Sequence, residues 1–123
     1  MKFNGLELSA VLKVGFAMAK ADGKLEEEEM KVLATSMAEF GVDDKEFHSL
    51  LTLADAMTPA TMIATLASLT KRQKKFVCGF LAMIMVSDGD IDDAEVKLWQ
   101  LISSLCEFPT MNIKDAIEYW KTN

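Results

Sequence analysis

One nine-residue pattern occurs twice in this chain and constrains the fold more than any other feature. Residues 21–29 read A-D-G-K-L-E-E-E-E and residues 87–95 read S-D-G-D-I-D-D-A-E, 66 positions apart. Each copy follows an apolar helical run. Each has Asp-Gly, then a branched apolar residue two positions on, then carboxylates ending in Glu. Gly just past a periodic run is the usual helix stop, because only Gly takes positive φ freely. Carboxylates at the next helix start are favoured by its dipole. The pattern therefore predicts two helix–turn–helix corners. Leu25 and Ile91 are expected to plug each corner into the core.

The apolar periodicity fills in the rest. Helices are predicted over about 5–21, 27–40, 44–56, 59–69, 71–87, 93–106 and 112–122. Gly15 lies mid-helix, where it offers only smallness, so a close helix–helix approach is expected there. Gly41 ends the second helix. Asp43 and Glu46 have capping-box spacing, and Thr58-Pro59 is an N-cap followed by Pro at the first helical position. The run Phe76 to Val86 is apolar all round, which predicts a central helix. Nothing reads as a strand: no sustained alternation and no hairpin dipeptide occur.

The offset extends beyond the motif. Phe47, Leu50, Leu51 and Ala54 fall on Ile113, Ala116, Ile117 and Trp120, Val11 on Val77, Met18 on Ile84 and Lys31 on Lys97. The fold class is thus all-α, with about seven helices. Two three-helix repeats, about 5–57 and 71–123, are joined by a connector over 58–70 within one domain, 1–123. A pseudo-two-fold is the natural packing of such a duplication.

Charge is unevenly distributed. The net is −6, yet segments 22–29 and 88–95 together carry −9, which leaves +3 for everything else. A cationic partner is expected at the corners, and nucleic acid, which needs a basic face, is not expected. The longest apolar run has 11 residues, against the roughly 20 of a membrane-spanning helix. With no signal-peptide pattern, the expectation is a cytoplasmic chain without membrane insertion. Cys78 and Cys106 lie among apolar residues with no metal spacing, so two buried thiols are expected.

A calcium loop of the EF-hand type is the first chemistry to test. With Gly23 at loop position six, Asp22, Leu25 and Glu29 fall where they should, as do Asp88, Ile91 and Glu95 in the second copy. The first half of the loop fails. Its ligand positions hold Met18 and Lys20, or Ile84 and Val86, which are poor oxygen ligands. Capping accounts for much of the acidity, since Asp92 and Glu95 have capping-box spacing and Glu26 with Glu29 a weaker version. Asp22 and Asp88 end the preceding helices, where the dipole disfavours an anion. They and the surplus carboxylates leave a hard cation as the other reading.

The duplicated Ala21-Asp22-Gly23-Lys24-Leu25…Glu29 and Ser87-Asp88-Gly89-Asp90-Ile91…Glu95, each after an apolar helix, resemble the TerB-like family over essentially the whole chain. That resemblance implies an all-α domain of about seven helices and a non-enzymatic, metal-linked or chemical-stress role such as tellurite resistance. It also implies cation ligands at the corners: Asp22, Glu26, Glu29, Asp88, Asp92 and Glu95. Nothing resembles the J-domain or membrane anchor of the family's co-chaperone members.

No catalytic set stands beside these corners. His48 is the lone histidine, and there is no nucleophile–base set, phosphate loop or zinc pattern. An enzyme is not expected, and no cofactor beyond a divalent cation. Lys71, Arg72, Lys74 and Lys75 open the fifth helix. They are read as a solvated start or as a contact surface for a protein partner in a metal-independent adaptor.

Overall fold

The computed structural model describes residues 2–21, 27–87 and 91–123, with residues 28–30 described as backbone alone. Seven helices occupy the described residues, which contain no strand: α1 Gly5–Ala19, α2 Glu27–Glu39, α3 Asp44–Ala56, α4 Pro59–Ala67, α5 Lys71–Val86, α6 Asp93–Leu105 and α7 Ile113–Thr122. The helix starts agree with the caps in the sequence. Asp43 accepts from the Glu46 N–H at 2.8 Å, and Thr58 Oγ1 from the Thr61 N–H at 3.1 Å. Two further starts are capping boxes: Asn4 with Glu7, and Thr70 with Gln73. Satisfying these end N–H groups stabilises each helix by about 1 kcal/mol.

α1 and α5 form the centre. Val11, Leu12, Val14 and Met18 of α1 pack with Val77, Phe80, Leu81 and Ile84 of α5, all with no solvent exposure. Burying a side chain such as Phe80 contributes on the order of 1.5–3 kcal/mol. Gly15 makes the approach feasible. A Cβ there would stand 2.8 Å from Leu33 Cδ1 of α2 and 2.8 Å from the Phe80 ring. Phe40, at the end of α2, joins Phe3, Phe76, Phe80 and Trp120 in one aromatic cluster, with Phe76 and Trp120 stacked at 4.4 Å. Such ring pairs add to the area they bury.

The packing partners come in matched sets. α1 lies on α2 and α3, as α5 lies on α6 and α7; α2 also touches α5, as α6 touches α1. The local geometry is matched at the same offset. α2 ends in a left-handed turn at Gly41, with the Val42 N–H reaching Met37 O at 3.1 Å and the Gly41 N–H reaching Ala38 O at 2.9 Å. α6 ends the same way 66 residues on. Glu107 is left-handed, Phe108 reaches Ser103 O at 2.8 Å, and Glu107 reaches Ser104 O at 3.4 Å. Both ends are Schellman caps, and both place a buried apolar residue, Val42 or Phe108, just beyond the turn.

Candidate functional site

The second acidic corner is described from Ile91 onward. Asp92 is the N-cap of α6. Its side chain accepts from the Ala94 N–H at 2.7 Å and from the Glu95 N–H, while Glu95 Oε1 accepts from the Asp92 N–H at 3.3 Å. The capping box read from the sequence is thus closed in both directions. Glu95 is only 2% exposed, because the buried face of α6 runs Glu95, Trp99, Ile102 at helical spacing. Ile91 does not plug the corner. It is 43% exposed, since it precedes the N-cap and falls outside that helical stripe.

Of the other proposed ligands, Asp22, Glu26 and Asp88 lie outside the described residues, as do Gly23, Gly89 and Leu25. Glu29 lies in α2, with its side chain outside the described set. Asp92 and Glu95 are therefore the two that the structure brings together. Among the described residues, no group of three His, Cys, Asp or Glu side chains is arranged to hold a metal ion. Glu27 pairs with Lys31 at 3.8 Å on the exposed face of α2, a contact worth little in solvent. The described donors are carboxylate oxygens without nitrogen or sulfur, which fits a hard cation in chemistry.

The basic start of α5 is partly engaged. Lys74 Nζ donates to Glu107 O at 3.4 Å, and Lys75 lies over the Tyr119 ring at 5.7 Å. Lys71 and Arg72 are exposed. Arg72 shares a shallow cleft of about 370 Å³ with Lys2, Gln73 and Asn123. His48 is exposed on α3. Cys78 and Cys106 are buried free thiols. Burial pushes Cys78 up to about 12, with Cys106 nearby adding to the rise, and burial pushes Cys106 up to about 11 against the pull of Lys74.

A larger opening lies between α1 and α3. It encloses about 560 Å³. Its α1 wall is Lys13, Phe16 and Lys20; its α3 wall is His48, Leu51 and Asp55. Lys13 Nζ donates to Ala54 O at 3.0 Å, and Lys20 Nζ stands 5.6 Å from the Phe16 ring centre.

Comparison with known proteins decides the family. The model of the tellurite resistance protein TerB matches residues 2–52. A crystal structure of a protein of unknown function from Porphyromonas gingivalis W83 is 40% identical to this chain. It superposes with a TM-score of 0.88, covering 98% of this chain and 92% of that one. The chain belongs to the TerB-like family. No curated protein matches it. The TerB match spans α1, α2, the first corner and most of α3, whereas the likeness to the Porphyromonas protein extends through the second half as well. No single helix among the described residues of this TerB-like chain is long and apolar enough to cross a membrane.

Proposed function

We propose that this TerB-like chain is a non-enzymatic, cytoplasmic domain that binds divalent cations weakly at its two acidic corners. The observation behind this is the concentration of −9 in two short segments of a chain whose remainder is +3. Asp22, Glu26 and Glu29 would hold a cation in the first corner, and Asp88, Asp92 and Glu95 in the second. The bound ion would offset repulsion among carboxylates that helix capping alone does not require. The name of the matched family model ties this reading to chemical stress such as tellurite exposure. The two corners are read as equivalent parts of one repeated unit, 5–57 and 71–123, joined through 58–70. The paired Schellman caps support that reading.

The experiment is a titration of the chain with Ca²⁺ and Mg²⁺, following backbone amide shifts. Saturable movement of residues 22–29 and 88–95 is expected near ~10⁻⁴–10⁻³ M, the range of weak oxygen-ligand sites. Asp22→Asn with Asp88→Asn should abolish it. Corner amides that stay still through that range would end the proposal.

A second reading is favoured by the closed Asp92–Glu95 capping box, which already engages two of the six carboxylates. In it the chain is a metal-independent adaptor, and the exposed Lys71 and Arg72 contact an acidic protein. Capture of a partner that survives chelator and is lost on Lys71→Glu with Arg72→Glu would support this reading. Capture that chelator abolishes would count for the cation.

A further inference from the structure

We propose that the cleft between α1 and α3 is a binding site for a small amphipathic monoanion, an alkyl carboxylate. Its volume of about 560 Å³ falls within the roughly 300–1,000 Å³ usual for small-ligand sites. The lining is arranged for such a molecule. Lys13 and Lys20 are seven residues apart on one face of α1, about 10 Å along the axis at 1.5 Å per residue. Phe16 lies between them, with Leu51 on the facing wall. Two lysines against Asp55 as the one carboxylate give the lining a formal +1 in a chain of net −6. A monoanion balances that charge, and an apolar tail covers Phe16 and Leu51. Lys13 uses one of its three donors on Ala54 O, and the ammonium keeps two more.

The other half shows that the fold does not require this opening. At the 66-residue offset, Lys13 and Ala54 correspond to Gly79 and Trp120. There the helices are shut: a Cβ on Gly79 would lie 2.5 Å from Trp120 Cβ and 2.5 Å from Ala116 O. The α5 wall at the remaining positions is Ala82, Met83 and Val86, without charge. In the first half a Lys and an Ala stand where a Gly and a Trp close the packing. That exchange leaves an opening beside the α1–α3 contact and lines it with cations.

The test is titration of the full chain with octanoate in EDTA, following amide shifts, with octylammonium and octanol as controls. EDTA separates this site from any cation site at the corners. Saturable shifts confined to residues 13–20 and 48–55 are expected with octanoate, and at least tenfold weaker binding with either control. Lys20→Met should weaken octanoate at least fivefold with the thermal midpoint kept. Ala54→Trp, which imitates the closed half, should abolish it. If Ala54→Trp does not fold, Lys20→Met and Lys20→Glu carry the decision. Equal binding of octanol and octanoate, shifts scattered over the surface, or unchanged affinity in Lys20→Met would overturn the proposal.

Discussion

Gly41 and Glu107 stand 66 residues apart, and both turn the chain into the left-handed region, at φ 83° and 56°. They close the same cap on α2 and α6, one with the residue suited to it and one without. A side chain in that conformation costs roughly 1 kcal/mol relative to Gly.

Glu107→Gly should therefore stabilise the chain by about 0.5–1 kcal/mol, and Gly41→Ala should destabilise it by about 1 kcal/mol or more. Urea denaturation measures both. A neutral or destabilising Glu107→Gly would mean that the Glu side chain contributes something that the backbone geometry does not show.

The two packed glycines should respond unequally to Ala. At Gly15 the nearest atoms are side-chain ends, Leu33 Cδ1 and the Phe80 ring, which can shift. At Gly79 a carbonyl oxygen and the root of Trp120 stand at 2.5 Å, and backbone has little room to move. Gly15→Ala should cost about 1–2 kcal/mol and Gly79→Ala about 3 kcal/mol or more. Thermal melts of the two variants test the order, and a milder Gly79→Ala would contradict the close α5–α7 contact.

The capping boxes offer a cleaner comparison, because their N-cap residues are at the surface. Asn4→Ala and Thr70→Ala should each lower stability by about 1 kcal/mol, as should Asp92→Ala. Hydrogen exchange should speed up in the first turn of the affected helix and leave the other helices alone. Uniform acceleration across the chain would argue against a local role.

The helix plan was legible because its signals are local. Thr58-Pro59, Asp43 and Gly41 each fix an end within one turn of sequence, and the apolar stripes fix the faces. Glu107 could not be read this way: nothing in Glu announces a left-handed turn, and only its offset from Gly41 gives it away. Asn4 with Glu7 carries a readable signal, the N-x-x-E spacing of a capping box. Ile91 misled because its place in the motif implied burial, while the periodicity of α6 begins at Glu95. The cleft was illegible for a different reason. It depends on which residue of α1 meets which residue of α3, and that pairing across 41 positions, Lys13 to Ala54, is set by tertiary packing. Of the acidic ligands, the sequence foretold the Asp92–Glu95 box by spacing alone.

The two thiols give a pH prediction. Both are raised in the folded chain, from the ordinary 9.0 to about 12 at Cys78 and about 11 at Cys106. Between pH 9 and these values the unfolded chain binds fewer protons than the folded one, so stability falls as pH rises. The contribution is complete below pH 9 and is lost progressively towards 11–12. Denaturation midpoints of the Cys78→Ala, Cys106→Ala variant should show a shallower alkaline decline than the parent. In the folded parent, a thiol reagent at pH 8 should react with neither residue until denaturant is added. Rapid labelling of the native chain would contradict the burial of both.

Trp120 rests on Phe40 as well as on Phe76 and Phe80, with Phe40 contributed by the end of α2 and the rest by α5. The other indole, Trp99, belongs to the buried face of α6. The chain therefore carries two built-in optical probes of different scope. Emission from Trp99 follows the seating of α6, whereas emission from Trp120 follows the packing of α7 on α5 and on the end of α2. A folding experiment on the Trp99→Phe variant would watch that packing without any dye attached.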